Sequence, residues 1–209
     1  MAGKRILLVE GRDDKYVFRA IFGQRQLEHL DDIKEHGGKD ELLEALPVQL
    51  KESDVEAVGI VLDADDNCSA RWAAVRNRLI MSGYLTVPDE PTAGGTIIHA
   101  PANSLLPRVG VWLMPDNRTS GILEDFLRYL IPEPNPLYAH AVTSVDAIPV
   151  GARLFSNVDR PKVLIHTWLA WQTDPGIPLG QAITARFLDP TLPAADQLVS
   201  WLRELYFPP

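Results

Sequence analysis

The stretch GIVLDADDN at residues 59–67 decides the fold of this chain. Its first four residues are small or apolar, and a short run of this kind is typical of a strand buried inside a parallel sheet. Asp63, Asp65 and Asp66 follow the run directly. Open α/β sheets hold their ligands just beyond the carboxyl ends of their strands, so the three aspartates predict a ligand site there.

Asp63 and Asp65 are two residues apart, so their side chains would project to the same side of an extended chain. Carboxylates that are held this close repel each other. Divalent cations that prefer hard oxygen ligands relieve such repulsion. The pair therefore predicts a site for Mg²⁺ or Mn²⁺.

The composition indicates a globular chain with a sizeable core, since 46% of the 209 residues are hydrophobic. No run of 18 apolar residues occurs, so no transmembrane helix is expected. Cys68 is the only cysteine, which excludes an intrachain disulfide framework and a cysteine-based zinc site. The apolar run near the amino terminus is too short for a signal peptide, and a reduced, cytoplasmic location is the simplest expectation.

The net charge of −8 is carried entirely by residues 1–150, whereas residues 151–209 contain equal numbers of basic and acidic side chains. This acidity is compatible with an acidic metal-binding site, and it is also compatible with an ordinary acidic surface. No large basic patch is visible in the sequence, which counts against tight binding to a nucleic-acid duplex.

Glu10 and Asp14 form a second group of carboxylates near the amino terminus. The run RILLV at residues 5–9 predicts the first, central strand, which ends at Glu10 and Gly11. Asp13 and Asp14 are typical of the first turn of a helix, where acidic residues stabilise the helix start. Glu10 thus directly follows the carboxyl end of a strand, and Asp14 lies in the first turn of the helix that comes next.

The remaining pattern alternates strands with helices, which predicts a Rossmann-like α/β fold with a mostly parallel sheet flanked by helices. Asp116 follows a later strand and so reaches the same edge of the sheet as the other carboxylates. Strands are predicted at residues 31–35, 55–62, 96–99 and 109–114, and helices at 40–50, 70–81 and 121–130.

A proline-containing segment at residues 131–136 divides the chain into two parts. Residues 1–131 form the predicted α/β domain, and residues 137–209 contain helical patterns and no strand pattern. We expect this tail to pack on the sheet as a helical extension and to return Lys162 toward the acidic edge.

VEGRDD at residues 9–14 and LDADD at residues 62–66 resemble the Toprim domain of topoisomerases, primases, recombination-mediator proteins and overcoming-lysogenization-defect nucleases. The family pattern is a glutamate after the first strand and Asp-x-Asp after the third, which corresponds to Glu10, Asp63 and Asp65. Several nuclease members add an aspartate four residues after the glutamate, and a later glutamate and lysine. The corresponding candidates in this chain are Asp14, Glu124 and Lys162.

Small stand-alone bacterial proteins of an uncharacterised Toprim-like family resemble this chain over most of its length. They are similar in MPDN at residues 114–117, GILEDFL at residues 121–127 and HTWLAWQ at residues 166–172. Two features depart from the overcoming-lysogenization-defect nucleases. The chain has no GxxxxGK[ST] motif for an ATPase, and Ile122 stands where those enzymes place a hydroxyl residue, two before their glutamate. Whether one or two metal ions bind is therefore left open.

The resemblance implies phosphodiester chemistry, by a nuclease or a nucleotidyl transferase, on a nucleic acid or a nucleotide, with Mg²⁺ or Mn²⁺ as the cofactor. Glu10 is then a general acid/base or a metal ligand, and Lys162 stabilises charge on the phosphate. A homo-oligomer and a partner protein both remain open. The candidate metal ligands are Glu10, Asp14, Asp63, Asp65, Asp116 and Glu124.

Two other classes of function are compatible with the sequence. RILLVEGRDD at residues 5–14 resembles the first strand and acidic pair of a response-regulator receiver, with Asp63 as the phosphate acceptor, but residues 108–114 contain no lysine. The second alternative is a non-catalytic module that uses its acidic residues to bind a nucleic acid or a protein. Metal-dependent cleavage of DNA or RNA distinguishes an enzyme from such a module.

Overall fold

A five-stranded sheet with helices on both faces makes up the fold. The computed structural model describes residues 3–208. Within that range no helix is long and apolar enough to cross a membrane. The strands are β1 (Lys4–Val9), β2 (Asp32–Glu35), β3 (Val55–Asp63), β4 (Thr96–Ile98) and β5 (Arg108–Met114). The α-helices are α1 (Arg12–Gln24), α2 (Lys39–Gln49), α3 (Cys68–Met81), α4 (Leu123–Arg128), α5 (Pro136–Asp146), α6 (Arg160–Leu169), α7 (Leu179–Thr184) and α8 (Asp196–Tyr206).

The sheet is mostly parallel, and its strand order is β2-β1-β3-β5-β4. β1 pairs in parallel with β2 and β3, and β3 pairs in parallel with β5. β4 is antiparallel to β5 at one edge. The predicted Rossmann-like α/β fold is confirmed. Flavodoxin-like receivers have the order 2-1-3-4-5, so this sheet differs from that of a receiver.

The apolar side chains of β1 alternate between two cores, as the pleat of a strand requires. Ile6 and Leu8 lie in a core that also contains side chains of α2 and α3. Leu7 and Val9 lie in the other core, which contains side chains of α1 and of helices α4 to α8. This second core joins helices from both sides of residues 131–136, so the helical tail packs against the α/β part through apolar contacts.

Two glycines in central strands allow α8 to lie directly on the sheet. A Cβ atom at Gly110 of β5 would be 2.5 Å from Cδ2 of Leu205, and one at Gly59 of β3 would collide with the hydroxyl of Tyr206. That hydroxyl donates a buried hydrogen bond of 2.7 Å to the backbone carbonyl of Ile6. The close approach of α8 thus depends on strand positions without a side chain.

The helix that carries Glu124 is shorter than the pattern at residues 121–130 predicts. Gly121 has a φ of +151°, a conformation outside the helical region, and α4 begins only after Ile122. Asp125, the third residue of α4, stabilises the helix start, because its Oδ2 atom accepts a hydrogen bond of 2.9 Å from the backbone N–H of the N-cap residue Ile122. Glu124 consequently lies in the first turn of α4.

Candidate functional site

Glu10 and Asp63 meet at the carboxyl edge of the sheet, where the parallel strands β1 and β3 end. The Oε1 atom of Glu10 accepts a hydrogen bond of 2.7 Å from the backbone N–H of Asp63. Parallel pairing of the two strands brings these residues together, because strands that run the same way end at the same edge. The contact agrees with the placement of both residues at the carboxyl ends of parallel strands, and the expectation that Asp65 joins them within one metal-site radius stays a prediction.

The Oδ1 atom of Asp63 is buried, and the carboxyl group is surrounded by negative charge. Among the described residues, its Oδ1 atom has no hydrogen-bond partner. Burial, followed by the charges of Glu10, Asp14 and Glu124, raises the pKa of Asp63 to about 9. A buried polar atom in this condition costs stability unless a ligand engages it.

Asp14 and Glu124 complete, with Glu10 and Asp63, a group of four carboxyl groups that we call the acidic cluster. Asp14 is 9% exposed, and its Oδ2 atom accepts a hydrogen bond of 3.1 Å from the backbone N–H of Gly11. Burial and then the charge of Glu10 raise the pKa of Asp14 to about 7. Glu124 is 3% exposed, and burial raises its pKa as well.

Lys162 on α6 brings positive charge to the acidic cluster. Its Nζ atom is 3.8 Å from Oε1 of Glu124, and its side chain is 52% exposed. The charges of Lys162 and His166 oppose the rise in the pKa of Glu124 that burial causes. The expectation that the helical tail returns Lys162 to the acidic edge is confirmed, whereas its catalytic role stays a prediction.

The backbone at Asp65 is not extended, although the spacing of Asp65 from Asp63 predicts an extended segment. β3 ends at Asp63, and Asp65 has a φ of +50°, in the left-handed region. The expectation of two side chains projecting from one extended segment is therefore wrong. The Oδ2 atom of Asp65 accepts hydrogen bonds from Nζ of Lys39 at 2.8 Å and from Nη2 of Arg71 at 2.5 Å.

Lys39 and Arg71 are site residues that the sequence patterns did not single out. Lys39 is the first residue of α2, and Arg71 lies in the first turn of α3. The side chain of Arg71 is 11% exposed, and its Nε atom also donates a hydrogen bond of 2.8 Å to the backbone carbonyl of Asp63. The sequence signal for both is their position, since each cation lies in the first turn of a helix that follows a parallel strand.

Asp116 lies in the loop after β5, and its hydrogen bonds stabilise that loop. Its Oδ1 atom accepts hydrogen bonds from the backbone N–H groups of Arg118 at 3.0 Å and Thr119 at 2.8 Å. The hydroxyl of Thr119 donates a third, at 3.0 Å. Such bonds are typical of an aspartate that stabilises its own turn. The assignment of Asp116 as a metal ligand stays a prediction that these contacts do not support.

The acidic cluster suits a divalent cation in its chemistry, since carboxylate oxygens are the ligands that Mg²⁺ and Mn²⁺ prefer. The buried Oδ1 atom of Asp63 is an acceptor that a cation would satisfy. Within residues 3–208, however, no three His, Cys, Asp or Glu side chains are grouped so that they could hold a metal ion. One candidate ligand, Asp65, is instead bonded to Lys39 and Arg71.

Comparison with known proteins gives the chain a family. A family model described as "Protein of unknown function (DUF3226)" matches residues 4–207. The chain belongs to this family. The match covers both the α/β part and the helical tail, so the two parts form one family unit. No curated protein and no solved structure matches the chain, and the resemblance to Toprim domains rests on the motifs.

Proposed function

We propose that this chain catalyses Mg²⁺- or Mn²⁺-dependent phosphodiester chemistry at the acidic cluster, as a nuclease or a nucleotidyl transferase. The observation that carries the proposal is the buried Oδ1 atom of Asp63, which no group in residues 3–208 hydrogen-bonds. Burial and then the neighbouring carboxylates raise the pKa of Asp63 to about 9, and a bound cation would relieve the repulsion among these carboxylates. The Toprim-like positions of Glu10 and Asp63 support the same chemistry.

Glu10 and Asp63 would hold the metal ion, with Asp14 and Glu124 beside them. When bound, the ion supplies a nucleophilic water and neutralises charge on the phosphate. Asp65 forms ion pairs with Lys39 and Arg71, so it becomes a ligand only if those side chains release it.

The side chains at the site contribute proton transfer and positive charge. Burial raises the pKa of Glu10, which brings its carboxyl group closer to the range in which a general acid or base works at neutral pH. Lys162 is half-exposed beside Glu124 and is positioned to stabilise a bound phosphate. Lys39 and Arg71 present two further cations at the same edge, from the helices on the other face of the sheet.

Thermal melting with and without Mg²⁺ tests the metal site. Mg²⁺ that binds only the folded protein should raise the wild-type melting temperature by several degrees. Asp63→Asn keeps the shape of the side chain and removes a negative ligand. The metal-free variant should be at least as stable as wild type, its Mg²⁺ shift should shrink, and its phosphodiester cleavage should vanish.

Asp89→Asn is the matched control, because Asp89 is exposed and contacts Arg76 at 2.7 Å in a surface ion pair. Such pairs contribute little to stability, so this variant should behave as wild type in both assays. Equal Mg²⁺ shifts in wild type and Asp63→Asn would show that the acidic cluster is not a metal site.

A non-catalytic binding module is the second candidate. Lys39 and Arg71 neutralise Asp65, and the part of the chain that the structure describes has no group of three candidate ligands around an ion position. In such a module the acidic edge binds a nucleic acid or a protein without cleaving it. A wild-type protein that neither responds to Mg²⁺ nor cleaves DNA or RNA would favour this function.

A further inference from the structure

A groove between α1 and α7 begins next to the acidic cluster and has a volume of about 690 Å³. The two helices approach closely because α7 has a glycine at the contact: a Cβ atom at Gly180 would be 2.7 Å from the backbone oxygen of Tyr16. We call this feature the α1–α7 groove. Its lining includes Arg12, Asp13, Tyr16, Arg19, Pro178 and Gln181.

Arg12, Tyr16 and Arg19 form a stripe along one face of α1, because their spacings of four and three residues place them on the same side of a helix. The guanidinium carbons of the two arginines lie 5.6 and 5.7 Å from the centroid of the Tyr16 ring. Tyr16 is 42% exposed. Within residues 3–208 neither arginine forms a salt bridge. Both positive charges are therefore available to an anion.

One end of the stripe lies at the acidic cluster. Arg12 begins α1 and is separated from Glu10 by Gly11 alone. Asp13, the acidic residue of the groove lining, is close enough to Glu124 to contribute to its raised pKa. From Arg12 to Arg19 the helix rises about 10 Å. A polymer that lies along the stripe therefore has one end at the carboxyl edge of the sheet.

We propose that the α1–α7 groove binds single-stranded nucleic acid and leads its backbone to the acidic cluster. Arg12 and Arg19 contact phosphates, and the ring of Tyr16 stacks on a base. Sites for single strands combine cations that follow the backbone with aromatic rings that stack on unpaired bases. A duplex keeps its bases stacked on each other, out of reach of Tyr16. That the bound nucleic acid ends at the acidic cluster rests on the proposed function. Binding in the groove does not require cleavage.

Fluorescence anisotropy with a labelled single-stranded oligonucleotide, in EDTA, measures this binding without catalysis. Arg12→Ala and Arg19→Ala should each reduce the slope of log affinity against log salt by about 0.7, the value for one phosphate contact with a single strand. Tyr16→Ala should weaken binding by roughly tenfold, and Tyr16→Phe should retain wild-type affinity because the ring remains. Arg203→Ala removes an exposed charge on α8, outside the groove, and should change neither quantity.

All three groove residues are exposed, so the variants should melt at the wild-type temperature. Wild-type affinity and salt slope in Tyr16→Ala and both arginine variants would overturn the inference. Tighter binding of a duplex of the same sequence, or of a labelled polyglutamate peptide, would also overturn it. Loss of binding in these variants of a protein that cleaves nothing would support the groove and count against the proposed catalysis. Cleavage that is unchanged in the same variants would support the proposed catalysis and count against the groove.

Discussion

At the scale of single residues, two aspartates with raised pKa values, Asp63 and Asp14, make the stability of the protein without bound metal depend on pH. The pKa of Asp63 is about 9 and that of Asp14 is about 7, against about 3.9 in an unfolded chain. Between these values the folded protein binds protons that the unfolded chain has released. The contribution of these groups is therefore fully present below about pH 4 and is lost as the pH rises toward 9.

Asp63→Asn should remove the part of this dependence that belongs to Asp63. At pH 4 the wild-type carboxyl group is protonated in the folded state and only about half ionised in the unfolded chain, so the two proteins should have similar free energies of unfolding. At pH 8 the variant should be more stable by several kcal/mol, since each pH unit between the unfolded and folded pKa values of Asp63 contributes on the order of 1.4 kcal/mol. Urea denaturation in EDTA at both pH values measures the difference, and a difference that does not change with pH would contradict the raised pKa of Asp63.

The contrast between Asp63 and Asp65 shows how far sequence reasoning reaches at a site. Glu10 and Asp63 could be placed together because the direction of two strands is sufficient to do so. Asp65 could not be placed, because its bonds are to side chains 26 and 6 positions away on two different helices. Those bonds depend on the backbone turn after β3, and local spacing carries no information about it.

At the scale of elements, the contact of α8 with the sheet should be sensitive to one methyl group. Gly59→Ala would press on the hydroxyl of Tyr206, which cannot move without losing its buried hydrogen bond to Ile6. Overpacking and the lost bond together should lower the free energy of unfolding by about 2–4 kcal/mol.

Gly23→Ala in α1 is the matched control, because a Cβ atom there meets nothing within 4 Å. It should leave stability unchanged or raise it by roughly 0.5–1 kcal/mol, since alanine is the better residue inside a helix. Denaturant melts of both variants give the comparison. Equal effects at Gly59 and Gly23 would mean that α8 does not press on the sheet.

Elements also differ in how well a sequence predicts them. The strands and the longer helices were predictable, since their apolar residues recur with a clear period over many residues. α7 has six residues, too few for a helical period to be visible, and its contact with α1 depends on the single position Gly180. The α1–α7 groove could therefore not be anticipated from sequence patterns.

At the scale of the whole molecule, one apolar core joins the sheet to the helical tail. A chain that ends at Ala195 lacks α8, including the fully buried side chains of Trp201 and Leu202. We expect this truncated chain to keep helical circular dichroism, to lose its near-ultraviolet signal and to bind a hydrophobic dye, because the part of the sheet that α8 covers becomes exposed. A cooperative melt at the temperature of the full-length chain would contradict this expectation.

The glycines under α8 have a further consequence during synthesis of the chain. The ribosome completes β5 at Met114 and reaches the start of α8 at Asp196, roughly 80 residues later. At about 5–20 residues per second, this interval lasts on the order of 4–16 s. For that time the strands are made but the helix that covers Gly59 and Gly110 does not exist. Every nascent copy thus presents the apolar surface beneath α8 to its neighbours on the polysome, and the chain truncated at Ala195, which we expect to lack fixed tertiary packing, corresponds to the end of that stage.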